Sequence, residues 1–264
     1  MADFTAKDVQ ALRQSTGAGM MDAKKALTEN GGDADAAAKW LREKGLAKAA
    51  GRSDRDNSQG TVAVSQSEGT AAIVELKCET DFVAKSDQFT SLVQEMAALV
   101  VAEGEDAAST KSSAIDDLKL VLKENIELGQ VVRVEASDGQ VIDSYVHRQD
   151  GRGVNGVIVV LDGGTPELAH DVAVHVAFTK PTAVRRDEVD EALVAEERAT
   201  LESMTRAEGK PEQAIDKIVE GRLGAWFKER VLLDQGFVKD EKTTVAALLG
   251  DTEVVRVAQV VVGG

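Results

Sequence analysis

The chain has 264 residues, 43% hydrophobic and 29% charged, which suits two packed units and argues against disorder throughout. Thirty-one Lys and Arg against 46 Asp and Glu leave a net charge of −15, so generic binding to a phosphate backbone is not expected. The single cysteine, Cys78, excludes an intrachain disulfide and a thiolate-built zinc site.

The histidines, His147, His170 and His175, do not restore a metal site. His170 and His175 stand five apart and would diverge by about 140° on a helix. The N-terminal MADFTAKD is polar and holds no secretory core, and Met96 to Ala102 falls far short of the ~20 apolar residues of a membrane span. A soluble, cytoplasmic protein is expected, with neither metal nor cofactor. Charge is uneven along it: residues 1–55 hold 10 basic and 8 acidic groups (+2), the remainder 21 and 38 (−17).

Residues 5–47 read as three short helices. Thr5 caps the first and Asp8 answers the cap; Val9 and Leu12 are its apolar stripe, and Gly17-Ala18-Gly19 ends it. The second spans about Met20 to Glu29, with Leu27 and one of Met20 or Met21 inward. Asn30-Gly31-Gly32 breaks it. Asp33 caps a third helix carrying Ala37, Trp40 and Leu41, with Gly45 as terminator. A bundle this small suits binding better than catalysis. The segment 49–60 is a linker poor in large apolar side chains.

Beyond it the period alternates. Thr61 to Val64, a turn at Glu68-Gly69 and Thr70 to Cys78 read as a hairpin. Helical stripes follow at Phe89, Leu92, Val93, Met96 and Val100, then at Ile115, Leu118, Val121 and Leu122. Val131 to Ala136, the turn Asp138-Gly139 and Val141 to His147 read as a second hairpin. A strand at Gly156 to Leu161 leads to a Pro166-initiated helix through Leu168, Val172 and Val176. Two related α+β subdomains result. Helices over Asp187 to Ala207 and Pro211 to Leu233 form an inserted hairpin, with Val189, Leu193, Leu201 and Met204 facing Ile215, Ile218 and Leu223. A short helix near Val245 to Leu249 and a strand Val254 to Val262 close the core. The expected fold is therefore α+β: a three-helix bundle at 1–48, a linker at 49–60, core units at 61–138 and 139–186, a helical hairpin at 187–233, and a return to the core at 234–264.

Gly151-Arg152-Gly153-Val154-Asn155-Gly156 matches G-x-G-x-x-G, but a dinucleotide fingerprint opens a helix, and here Val157 to Leu161 is a strand; a strand-connecting loop fits better. There is no phosphate-binding P-loop and no G-x-S-x-G elbow. Cys78, after Val74 and Leu76 on one strand face, reads as a buried thiol. No catalytic constellation emerges, and a non-enzyme is expected.

In Cys78-Glu79-Thr80-Asp81-Phe82-Val83-Ala84-Lys85, one of only nine aromatics sits between an acid and a base. Val74, Leu76, Cys78, Thr80 and Phe82 share parity, so Phe82 is either the last core residue of the strand or an exposed contact.

Thr80 to Lys85, T-D-F-V-A-K, resembles the signature loop of the bacterial elongation factor Ts family. Leu12 to Leu27, LRQSTGAGMMDAKKAL, resembles its other signature, and Tyr145-Val146-His147 before a Gly-rich loop extends the likeness over nearly the whole chain. The resemblance implies a ubiquitin-associated-like bundle ahead of a two-part core with an inserted helical hairpin. It also implies guanine-nucleotide exchange on the GTPase elongation factor Tu, through contacts with its GTPase domain and a second domain, without direct nucleic-acid or membrane contact. By it, Thr80, Asp81, Phe82 and Val83 contact the partner beside its magnesium, Phe82 wedging between helices and Asp81 disturbing the network that holds the ion. Arg13, Met20 and Met21 would grip the GTPase domain, with bundle-core methionines as the alternative. His147 would be a second wedge or an ordinary strand-end residue. Longer members of the family continue into a C-terminal segment that touches the partner. This chain ends at Gly263-Gly264, which leaves the hairpin to carry partner binding or dimerisation, as a homodimer or a heterotetramer. An adaptor that binds through its bundle, and an α/β enzyme using the glycine loop, are the competing readings.

Overall fold

A computed structural model describes residues 4–264; the first three residues of the polar N-terminal stretch lie outside the described residues. The bundle comprises α1 (Ala6–Thr16), α2 (Met20–Glu29) and α3 (Ala34–Ala50). Thr5 and Asp8 form a reciprocal capping box, and Gly17 ends α1 in the left-handed conformation at φ 67°. The Asp33 side chain accepts from the backbone amides of Asp35 and Ala36. The bundle core is small, with Val9, Leu12 and Leu27 packed among Ala23, Ala26 and Ala37.

Two expectations fail here. Gly45 does not stop α3, which continues to Ala50, into the first residues of the expected linker. A Cβ at Gly45 would meet Leu120 at 2.4 Å, so the glycine permits a close approach to the core. Neither Met20 nor Met21 turns inward: Ala23, Ala26 and Leu27 fill that side of α2 and leave both methionines exposed.

The core is built twice on one plan. In the first unit β1 (Gln59–Ser67) and β2 (Thr70–Cys78) form a hairpin, α4 (Asp81–Ala84), α5 (Asp87–Glu103) and α6 (Ser112–Leu122) follow, and β3 (Glu127–Glu135) returns antiparallel to β2. In the second, β4 (Gln140–Gln149) and β5 (Arg152–Asp162) form the hairpin, α7 (Pro166–Thr179) follows, and the chain leaves for α8 (Glu191–Ala207) and α9 (Glu212–Arg230). After β6 (Gly236–Phe237), β7 (Asp240–Thr244) and α10 (Val245–Leu249), β8 (Glu253–Val261) pairs antiparallel with β5. The expected hairpin across Asp138-Gly139 is therefore not formed. β3 pairs with β2 and β4 with β5, so that turn joins two different sheets. The hairpin turn of the second unit is Asp150-Gly151, both with positive φ.

The apolar stripe of α5 buries Phe89, Leu92, Val93, Met96 and Val100 against Ala72, Val74, Leu76 and Cys78 of β2. On the far side α7 buries Ala169, Val172, Ala173 and Val176 against Val157, Val159 and Leu161 of β5. The remaining sheet faces meet through Val62, Ile73 and Val134 on one side and Ile158, Val160 and Val260 on the other. Helices thus cover the outer faces of two stacked sheets. Gly153 and Gly156 lie within β5, not in a loop. A Cβ at Gly153 would stand 2.1 Å from the Val62 carbonyl oxygen, so this glycine serves the sheet-to-sheet approach.

α8 and α9 pack through Leu201, Ile215, Val219 and Leu223, with Trp226 and Phe227 at the base. Leu193 and Met204 are exposed, against expectation, and Ile218 is half-buried, because the seam runs through Leu201 and Thr205. Among the described residues no helix is long and apolar enough to cross a membrane.

Candidate functional site

β2 leaves the ladder at Cys78, and two residues later Thr80 caps α4, its side chain accepting from the Val83 amide at 3.3 Å. The chain turns helical, the strand parity breaks, and Phe82 points outward with 80% of its surface exposed. Ala84, on the opposite side of this single turn, is fully buried. Phe82 is therefore exposed and is not the last core residue of the strand.

The turn is pinned from below. α6 ends with Lys123 in the left-handed conformation, which brings Glu124 under α4. Its carboxylate accepts from the amides of Glu79 and Thr80, at 3.0 and 3.1 Å, and from the Thr80 hydroxyl at 2.5 Å. Reciprocally, the Glu79 carboxylate accepts from the Asn125 amide at 2.7 Å. The Cys78 thiol donates to the Thr80 carbonyl at 3.2 Å; burial, aided by the Glu124 charge, pushes its pKa up to about 12, so it is an inert packing group.

On the outer side Lys85 pairs with Asp81 at 2.5 Å and lies 5.4 Å from the centre of the Phe82 ring. The Lys85 contact holds the Asp81 carboxyl below the usual carboxylate range, with a smaller contribution from Arg152. Val83 is half-buried and packs on the core beneath. A locally rigid turn therefore presents one large apolar ring beside one ionised acid.

Arg152 joins this turn to the second unit. Its guanidinium donates to the Gly60 carbonyl at 2.7 Å and the Gln59 side chain at 2.9 Å, and Gln59 is the register partner of Cys78. His147 pairs across β4–β5 with Asn155 and is exposed, just before the bulge that separates it from Arg148. The Asp81–Phe82 turn and His147 thus share one end of the stacked sheets.

Arg13, Met20 and Met21 are exposed on the separate bundle. That bundle meets the core through α3 and α6. Arg42 pairs with Asp117 and donates to the Ser113 hydroxyl at 3.1 Å, and Arg52 donates to the Lys119 carbonyl at 3.2 Å. Among the described residues no hydrogen bond or ion pair ties Arg13, Met20 or Met21 to the Asp81–Phe82 turn.

Two features of this end of the sheets were not anticipated. Glu124 stands 44 residues from Thr80 in a chain rich in acids, so no local signal marks it. Phe178 did carry one: seven residues after Asp171, it falls on the polar face of α7, and it is 79% exposed. Among the described residues no cluster of His, Cys, Asp or Glu could hold a metal ion.

A family model described as Elongation factor TS matches residues 79–264, a span that includes the Asp81–Phe82 turn and His147. The Elongation factor Ts of Pseudarthrobacter chlorophenolicus is 42% identical over 266 residues, covering 96% of each chain. That of Renibacterium salmoninarum is 43% identical over 261 residues, 94% of each. That of Nitrobacter hamburgensis is 41% identical over 96% of this chain and 87% of its own. Fold and likeness together define a translation elongation factor. Since the family model covers residues 79–264 and relatives above 40% identity cover 94–96% of the chain, the chain belongs to the elongation factor Ts family.

Proposed function

We propose that this protein is a guanine-nucleotide exchange factor for elongation factor Tu, acting in the cytoplasm by binding and without making or breaking a covalent bond. The observation that carries the reading is Phe82, four-fifths exposed on a turn that Thr80 and Glu124 hold rigid.

In this reading the bundle grips the GTPase domain through Arg13, Met20 and Met21, and the core presents its shared sheet end to the nucleotide site. GDP in such a GTPase is held by backbone amides around its phosphates and by a bridging magnesium ion. Phe82 enters an apolar gap between partner helices and shifts the elements that carry those amides. Asp81, already ionised, brings negative charge towards the ion and weakens its hold. His147 presses from the second unit. With charge neutralisation lost, GDP leaves. The coupling is reciprocal: whatever factor the protein takes from nucleotide affinity, rebinding nucleotide takes from the protein's own affinity, so incoming GTP releases it.

Burying one Phe is worth roughly 1.5–3 kcal/mol, which at ~1.4 kcal/mol per decade is about 10- to 100-fold. Stopped-flow release of fluorescent GDP from elongation factor Tu, in excess magnesium, tests the reading. The protein should accelerate release, and Phe82→Ala should lower the maximal rate by about 10- to 100-fold while changing the half-saturating concentration far less. Equal losses in both would remove the wedge. Partner binding that leaves GDP release unchanged would replace exchange with an adaptor role.

A further inference from the structure

The segment between bundle and core is not a free linker. After α3 ends at Ala50, residues 51–58 are strapped to the end of α6 and the start of β3. The Arg52 guanidinium donates to the Lys119 carbonyl at 3.2 Å, and the Asn57 side chain donates to the Glu127 carboxylate at 2.7 Å. Between these ties the side-chain amide of Asn125 donates to two carbonyls of the strap, Ser53 and Arg55, each at 3.2 Å. Asn125 is only 5% exposed, so it reaches no partner itself.

Two holds meet at this residue. Its backbone amide donates to the Glu79 carboxylate at 2.7 Å, and Arg55 approaches the same carboxylate at 3.4 Å. One residue earlier, the Glu124 carboxylate carries the amides of Glu79 and Thr80 beneath the Asp81–Phe82 turn. Successive side chains therefore hold the strap that leaves the bundle and the turn that presents Phe82. A buried side-chain amide is unfavourable unless its hydrogen bonds are made, and Asn125 makes them to the strap. Support of the turn alone does not call for this, because Glu124 already supplies it.

We infer that Asn125 is a positioning residue for exchange: it fixes the spacing between the bundle and the Asp81–Phe82 turn, so that a GTPase gripped by one meets the other already in place. The inference rests on the exchange reading and adds to it a residue that touches neither partner nor nucleotide. Untied, a polar segment of this length spans about 15 Å with wide fluctuation. Once the bundle had docked, the local concentration of Phe82 at its target would fall accordingly. The strap removes that loss before binding begins.

A double-mutant cycle in the full chain tests this. Exchange efficiency is the maximal rate of fluorescent GDP release from elongation factor Tu divided by the half-saturating concentration. It is measured for the parent and Asn125→Ala, and again in a Met20→Ala/Met21→Ala background that weakens the bundle grip. Asn125→Ala should lower efficiency about 5- to 30-fold in the parent and by less than about twofold once the grip is gone. Glu124→Ala acts on the turn itself and should cost the same in both backgrounds. Arg52→Met unties the half-buried strap while leaving Asn125 in place, and should follow Asn125→Ala with a smaller effect; it carries the test if Asn125→Ala fails to fold. Equal losses from Asn125→Ala in both backgrounds would make it a plain support of the turn and overturn the proposal, as would no loss in either. If the methionine variant exchanges like the parent, there is no grip to position, and the proposal falls while exchange stands. If the parent accelerates nothing, both fall.

Discussion

Single side chains set two conditions on this protein. Phe82 is held outward by a carboxylate, Glu124, that accepts from two backbone amides and a hydroxyl. The second condition is buried. His175 is fully enclosed in α7, its Nε2 donating to the Gln235 side chain at 2.9 Å and its Nδ1 accepting from the Val238 amide at 3.3 Å. Both bonds fit the neutral ring, and a second ring proton would face the Val238 donor. Burial accordingly pushes the His175 pKa below its ordinary value of 6.5. A depressed histidine pKa means that the unfolded chain takes the proton first. The stability His175 contributes is complete above about pH 6.5 and is lost as pH falls below it, with a slope of at most ~1.4 kcal/mol per pH unit. Urea midpoints at pH 7.5 and 5.5 should therefore fall more in the parent than in His175→Gln; equal falls would mean that His175 is not the responsible group.

At the scale of elements, the contact between the sheets depends on the absence of a side chain. Gly153 lies where a Cβ would run into the Val62 carbonyl oxygen, a backbone atom that no rotamer change can move, and the Thr61 hydroxyl donates to the Gly153 carbonyl at 3.0 Å across the same gap. Gly153→Ala should cost about 2–3 kcal/mol, read as a lower urea midpoint with little change in slope. By contrast, Gly45→Ala meets only the tip of the Leu120 side chain, which can turn aside, and should cost less.

This glycine also marks what was legible beforehand. The residues themselves announced the Thr5–Asp8 cap, the Pro166 start of α7 and the α5 stripe, because each depends on neighbours three or four residues away. The alternation around Asp138-Gly139 identified two strands but not their partners: strand edges are chosen by burial between sheets, and β2 lies about 50 residues before β3. Parity left Phe82 open for a similar reason, since the Glu124 carboxylate that supports the turn is remote in sequence. The assignment of site residues rests on motif resemblance; physical reading alone left Phe82 open and turned one of the two methionines inward, where the structure has both exposed.

At the scale of the molecule, the bundle should be the first unit to unfold. Half of its buried apolar residues are alanines, and its ties to the core are the exposed Arg42–Asp117 pair and a few neighbouring contacts. The two tryptophans report on different parts, Trp40 on the bundle and Trp226 on the helical hairpin. In a Trp226→Phe protein, the fluorescence of Trp40 should change at lower urea than the far-ultraviolet circular dichroism, which is dominated by the rest of the chain. Coincident transitions would show that bundle and core unfold as one. An early bundle transition would show that the bundle opens independently of the core.

The repeated plan carries an asymmetry in time. In the first unit the closing strand, β3, is made soon after its hairpin. In the second, β5 waits for β8 until the helical hairpin has been made, about 90 residues later. Until then the run Val157-Ile158-Val159-Val160-Leu161 has an open edge and no neighbour on one side. During its own synthesis the second unit is therefore the one exposed to mispairing, while the first is ready to fold early and offer a finished apolar face for it to lean on. A factor of translation elongation would in this way depend on steady elongation to complete its own fold.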